Sequence, residues 1–176
     1  MTAKFSNIFK GQLGDALALE ELAREATKTM KANGIEQWHY NYPLATDFQA
    51  DIREEGLYVY KDGEKILGTI TLNKEQDEQY LSVNWQYRGE KILVIHRLAV
   101  HPKGQGRGIG KELCGFAESF AQANGYSAIR LDAYAGNPIS CHLYEKLGYE
   151  KTEEVIYFHN NELPFYCYEL PIKKGS

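Results

Sequence analysis

The sequence predicts a single mixed α/β domain over residues 1–176, with a central, mostly antiparallel sheet that contains one parallel strand pair and is flanked by about four helices. Three observations carry this expectation. Two β-type runs meet at Asp62-Gly63, a strong antiparallel hairpin signal. Residues 91–134 read strand, glycine loop, helix, strand, and the usual right-handed crossover makes those two strands parallel. Two more β-type runs close the chain on either side of His159-Asn160-Asn161. A chain of 176 residues is long enough for one real core and calls for no second domain.

In chain order, Ile8-Phe9 forms a short strand. Asp15 then caps a helix in which Leu19, Leu22, Ala26 and Met30 recur at three and four positions, with Asn33-Gly34 as its stop. The aromatic segment Trp38-His39-Tyr40-Asn41-Tyr42-Pro43 separates it from a second helix. Thr46-Asp47-Phe48-Gln49 has capping-box spacing there, and Phe48 and Ile52 share a face before a stop near Gly56. Residues 57–60 and 65–73 form the hairpin, 74–79 read as a turn or loop, and the type of the region around Trp85 is open. Residues 91–100 are the third long strand. Ile109, Leu113, Phe116 and Phe120 are spaced four, three and four apart, giving an amphipathic helix that ends at Asn124-Gly125. Strand Ala128–Tyr134 follows. Asn137 is placed to cap the next helix, with Pro138 in its first turn and Gly148 at its close. Residues 150–157 and 165–170 are the final strand pair.

The formal net charge is −4, so nothing draws the molecule as a whole to nucleic acid or to an anionic membrane. The three cysteines, Cys114, Cys141 and Cys167, are odd in number, far apart and without a CxxC spacing. Neither a disulfide framework nor a zinc site is expected, and no other metal is implied. No run approaches the length of a membrane span, and the N-terminal segment lacks an extended apolar core. The expectation is a cytoplasmic protein.

The chemistry is concentrated between Val94 and Lys111, where an apolar run passes through Gly104, Gly106, Gly108 and Gly110 into the helical pattern. Glycines at that density let backbone N–H groups converge on one point, and the helix N-terminus adds partial positive charge. A phosphate-bearing ligand fits such a cradle. A nucleoside triphosphate loop would need glycine where Gln105 stands and Ser or Thr where Glu112 stands. A dinucleotide fingerprint would need glycine at Ile109 or Lys111, although Asp132 imitates its ribose-binding acid.

The segment Gln105-Gly106-Arg107-Gly108-Ile109-Gly110, after a strand ending Leu98-Ala99-Val100-His101-Pro102, resembles the loop signature of the GNAT superfamily of N-acetyltransferases. Asn137-Pro138-Ile139-Ser140-Cys141-His142-Leu143-Tyr144-Glu145-Lys146-Leu147-Gly148-Tyr149 is similar to that family's second signature. The specific match runs from about Val94 to Tyr149. The resemblance implies that the parallel strands splay and that acetyl-CoA, the acetyl donor, binds in the gap. Backbone N–H groups of Gln105, Gly106, Arg107, Gly108, Ile109 and Gly110 then receive the pyrophosphate, and Lys111 joins the cofactor-binding residues through its charge. Main-chain groups of Leu98 and Val100 pair with the acetyl carbonyl and pantetheine, with a donor at Leu98 for the oxyanion. Asn137 contacts pantetheine, and Tyr144 protonates or hydrogen-bonds the departing CoA sulfur.

The implied activity is acetyl transfer to a primary amine by direct attack in a ternary complex. The alternative is a non-catalytic acyl-CoA sensor or partner module. The amine must lose a proton, and His96 is the candidate base: it precedes Leu98 by two positions, so strand alternation puts both on one face. An ordinary strand histidine is the competing reading. Lys103, Arg107, Lys111 and Lys146 stand between phosphate contacts and solvated cations, and Glu75, Asp77 and Glu78 between a substrate lure and a solvated face. Trp38 and Trp85 stand between pocket wall and core, whereas Tyr42, beside Pro43, is read as wall. Cys141 has no activating partner beyond His142, which disfavours a covalent cysteine mechanism. The acceptor stays open among small amines, amino acids, antibiotics and protein N-termini or lysines. A homodimer is also open, because an exposed edge or apolar face cannot be told from core by sequence.

Overall fold

The computed structural model describes residues 2–174. The chain divides into two compact units, Met1–Leu72 with His96–Phe116 and Asn73–Ile95 with Ala117–Ser176.

The first unit begins with β1 (Ile8–Lys10), α1 (Ala16–Ala32) and α2 (Ala45–Arg53). The hairpin of β2 (Leu57–Asp62) and β3 (Lys65–Asn73) follows, then the second part of β4 (Ile92–Val100) and the first of α3 (Ile109–Ala123). Asp62 pairs with Lys65 across Gly63, whose φ of 64° is the left-handed conformation that favours glycine. The antiparallel β2 to β3 pairing is as the sequence predicts. Leu19 and Ala23 of α1, Phe48 and Ile52 of α2, and Leu57 and Val59 of β2 form one buried cluster, with Trp38 packed against it. Trp38 therefore belongs in part to the core.

Both predicted N-caps in this unit need correction. Asp15 precedes α1 but makes no side-chain cap bond there; its Oδ2 accepts from the Gln12 N–H at 2.8 Å, closing a short 3-10 turn instead. Thr46 lies inside α2, whose N-cap is Leu44. Leucine has no acceptor to offer, so carboxylates from elsewhere serve the first turn. Asp47 accepts from the Leu44 N–H at 2.8 Å, and Glu20 of α1 accepts from the Ala45 N–H at 2.6 Å.

The second unit holds the first part of β4, the remainder of α3, β5 (Ala128–Tyr134), α4 (Pro138–Lys146), β6 (Glu150–Ile156) and β7 (Phe165–Pro171). The parallel ladder joins Ile92, Leu93 and Val94 of β4 to Ala128, Ile129 and Arg130 of β5. β5 then pairs antiparallel with β7 from Ala128↔Pro171 to Tyr134↔Phe165, and β7 with β6. The seven strands take the order β1-β2-β3-β4-β5-β7-β6, a mixed sheet accompanied by four α-helices among the described residues. The connection before β4 contains a 3-10 turn at Glu78–Ser82 and no strand. It is tied down at Trp85, which is buried and donates its indole N–H to the Tyr80 carbonyl at 3.1 Å. Trp85 is core, under the Arg130 guanidinium at 4.5 Å. No helix among the described residues is long and apolar enough to cross a membrane.

One close approach positions the glycine loop. A Cβ on Gly68 of β3 would stand 2.8 Å from Ile109 Cγ2 and 3.0 Å from Leu113 Cδ1. The first turns of α3 thus rest on a glycine, and the loop before them is set by that contact. Gly68→Val is expected to cost about 1–3 kcal/mol of stability through overpacking, read as a lowered urea midpoint with an unchanged m-value.

Candidate active site

The cradle belongs to the first unit. After Val100 the chain is fixed by the His101 N–H, which donates to the Leu67 carbonyl at 2.8 Å, and by His101 Nδ1, which accepts from the Lys103 N–H at 3.0 Å. A 3-10 turn over Pro102–Gly104 follows, and Gly104 is buried. A Cβ there would meet Ile109 Cδ1 at 2.8 Å, so the loop packs closely against the first residue of α3. Gly106 and Gly108 have φ of 78° and 76°. These two left-handed residues reverse the chain, and Gln105, Gly106, Arg107 and Gly108 are all exposed. The Glu112 N–H makes a helical bond to the Gly108 carbonyl at 3.0 Å. The amides of Ile109, Gly110 and Lys111 precede it and are the orphan donors of the helix start. They lie at the positive end of the helix, where an anion is stabilised.

The cations near the loop are less committed. Arg107 pairs with Asp62 at 3.3 Å, but both are exposed and such a pair contributes little. Lys103, Lys111 and Lys146 are exposed. The Gln105 side-chain amide donates back to the Val100 carbonyl at 3.4 Å, a long bond that tethers the loop to the end of β4.

β4 is not a regular strand at its centre. Arg97 has φ of 48°, a left-handed conformation costly for a residue with a side chain. The side-chain alternation that assigned His96 and Leu98 to one face does not carry across it, so that argument for His96 as the base is withdrawn. Arg97 is held by Asp51 of α2: Nε donates to Oδ2 and Nη2 to Oδ1, both at 2.6 Å. Asp51, itself buried, also accepts from Thr71 Oγ1 at 2.9 Å. Arg97 Nη1 reaches the Tyr42 hydroxyl at 3.0 Å. Burial opposes the Arg97 charge, but the bonds to Asp51 outweigh it and hold the guanidinium more firmly protonated than usual. Tyr42, expected to wall a pocket, is exposed and anchored to this cluster.

In the second unit Asn137 caps α4 as predicted, its Oδ1 accepting from the Ser140 N–H at 3.2 Å. Tyr144 lies on the buried side of the same helix, its ring 5.8 Å from Tyr149 and 5.9 Å from Tyr168 between centroids. Cys141 is buried, with Sγ 3.6 Å from the Tyr134 carbonyl. Burial pushes its thiol pKa up, the opposite of an activated nucleophile. Glu75, Asp77 and Glu78 are exposed.

The sequence model of the acetyltransferase (GNAT) family matches residues 18–149. The chain belongs to the GNAT acetyltransferase family. An acetyltransferase crystal structure from Staphylococcus aureus Mu50 is 30% identical, superposes with a TM-score of 0.74 and covers 94% of this chain and 99% of its own. An acetyltransferase from Salmonella typhimurium, solved with its cofactor acetyl-CoA, shares the GNAT fold at 14% identity, with a TM-score of 0.70 over 96% of this chain and 95% of its own. Mouse N-acetyltransferase 8 is 29% identical over 116 residues, 66% of this chain. The chain spans 48% of that relative's length.

Sequence reasoning missed the Asp51–Arg97 pair. Its signal was a carboxylate at position 51 on the apolar face marked by Phe48 and Ile52, where a lone aspartate needs a partner. Removing that partner strands a buried charge. Asp51→Ala is expected to destabilise the GNAT protein by about 3–5 kcal/mol and Tyr42→Phe by less than about 1 kcal/mol; equal losses in chemical denaturation would contradict the assignment.

Proposed function

We propose that the protein transfers the acetyl group of acetyl-CoA to a primary amine by direct attack in a ternary complex. The observation that carries the reading is the loop itself: two left-handed glycines opening onto orphan amides at a helix start, in a chain of the GNAT family. The loop residues suit a diphosphate, because the donors they offer are backbone N–H groups at the positive end of a helix.

In this reading the amides of Gln105 to Lys111 hold the pyrophosphate. Main-chain groups of Leu98 and Val100 align the acetyl carbonyl and pantetheine, and the Leu98 N–H stabilises the oxyanion. Asn137 contacts pantetheine while capping α4, and Tyr144 gives its phenolic proton to the departing thiolate. Acetyl-CoA supplies an activated acyl group, so the protein's work is orientation, charge stabilisation and proton management. A primary alkylamine suits the thioester as acceptor once it is neutral.

Thiol release from acetyl-CoA, with free amino acids, spermidine and a peptide with an unblocked N-terminus as acceptors, tests the activity. Tyr144→Phe keeps the ring packing against Tyr149 and Tyr168, so folding and acetyl-CoA affinity should hold. Its kcat should fall about 10²-fold. An unchanged kcat removes the acid role, and tight acetyl-CoA binding with no turnover of any amine favours a sensor.

A further inference from the structure

Asp132 is a carboxylate that the mechanism above does not use. It stands in β5 between the buried residues Leu131 and Ala133, and protein surrounds it closely although it keeps partial access to solvent. Its Oδ2 accepts from the hydroxyl of buried Tyr80 at 2.7 Å, and no donor among the described residues reaches its Oδ1. No cation among the described residues pairs with it either. Asp51 in the first unit is neutralised by Arg97; Asp132 has nothing comparable. Arg130, two residues before it on β5, directs its terminal nitrogens to Gln76 Oε1 at 2.8 Å and the Tyr87 carbonyl at 3.0 Å. A recessed carboxylate left without a cation is costly to keep. An incoming ammonium group would supply the missing charge.

The face it occupies suits that role. Asp132 lies opposite Cys167 of β7, and Arg130 opposite Glu169, on one side of the strand pair. Leu131 lies opposite Tyr168 on the other side, where the Tyr144 ring packs. The carboxylate and the proposed acid thus lie on opposite faces of β5 and β7, just past the last parallel rung to β4 at Val94↔Arg130, where both can flank the free edge of β5.

We infer that Asp132 takes the proton from the ammonium group of the acceptor, with Tyr80 as its positioning residue. This rests on the amine acetyltransfer reading above. One proton of R–NH3+ passes to the carboxylate, and the freed lone pair forms the C–N bond while the C–S bond breaks. The thiolate takes the phenolic proton of Tyr144, and the second proton lost by the nitrogen passes through solvent to the phenolate and restores the phenol. The balance is amide, CoA thiol and one proton that Asp132 returns to solvent.

Burial raises the Asp132 pKa to about 6, with the Tyr80 hydrogen bond opposing and Asp77 adding repulsion. The other groups on this face are Cys167, whose thiol is pushed up to about 12, Glu154 beyond it on β6, and the Arg130 and Glu169 pair one step along. The carboxylate must be ionised to act. kcat/KM should therefore fall as pH drops through about 6, and at pH 7 the base is mostly ready. Tyr80→Phe removes a bond that favours the charged form, so its acid limb should move to higher pH. Asp132→Asn keeps an acceptor for Tyr80 and should lose about 10²-fold or more in kcat/KM.

Two readouts test this on the full chain. Thiol release with the same amine panel is recorded against pH, and the Asp132 carboxyl is titrated by carbon-13 NMR, with Asp132→Asn as the assignment control. Calorimetry of Asp132→Asn with acetyl-CoA should give the wild-type affinity. An acid limb near the carboxyl's own midpoint, lost in Asp132→Asn and raised in Tyr80→Phe, is the expected result. A wild-type rate and limb in Asp132→Asn, or a carboxyl that titrates in the ordinary aspartate range, overturns the inference. An ordinary aspartate midpoint decides against the inference even where no panel amine is turned over. Failure of the wild type to bind acetyl-CoA is a separate result that sinks the function and not the titration.

Discussion

A guanidinium locked to a buried carboxylate holds β4 in a backbone conformation that no unsupported strand would keep. The left-handed φ at Arg97 costs about 1–3 kcal/mol, and the two 2.6 Å bonds to Asp51 make that conformation the one the side chain requires. The chain regains extended geometry at Leu98 to Val100, is pinned through His101 to Leu67, and enters the glycine loop from a fixed direction. Each later feature of the first unit inherits that direction: Gly104 folded onto Ile109, the two left-handed glycines, and α3 seated on Gly68.

In the proposed reading the cradle works through amides rather than side-chain charge. Arg107 is occupied by Asp62 and the neighbouring lysines are solvated, whereas the backbone donors at the start of α3 are fixed by the helix and need no ordering on binding. The net charge of −4 would repel a polyanion at long range, so in that reading a diphosphate would be held by short-range, preorganised hydrogen bonds. The second unit makes a comparable division. α4 presents Asn137 and Tyr144 from a capped, buried face, and β5 carries its two charged residues, Arg130 and Asp132, on the other side of the strand.

Much of this was legible in the residue pattern because the glycines, the Asn-Pro cap and the apolar run of Ala128–Tyr134 each act locally. Backbone conformations that only glycine tolerates can be read one residue at a time. The left-handed conformation at Arg97 could not, since Ile92–Val100 is written almost wholly in strand-forming residues and the partner that holds Arg97 is a carboxylate 46 positions away. The cap of α2 was misread in part for the same reason: Thr46 has the right chemistry, but Asp47 serves the Leu44 N–H and Glu20, distant in sequence, serves that of Ala45. Trp85 was left undecided because aromatic composition does not separate a wall from a core. Charged residues inside apolar patterns, Asp51 on its helix and Arg130 with Asp132 on their strand, were the signals that sequence offered for these polar clusters.

Calorimetric titration of the purified protein with acetyl-CoA, CoA, NAD and ATP bears most directly on the central claim that the glycine loop is a CoA diphosphate cradle. Acetyl-CoA and CoA should bind selectively, and Gly108→Val, which burdens a left-handed residue with a branched side chain, should lose most of that affinity while staying folded. No binding of either CoA species, or equal binding by the valine variant, would contradict it.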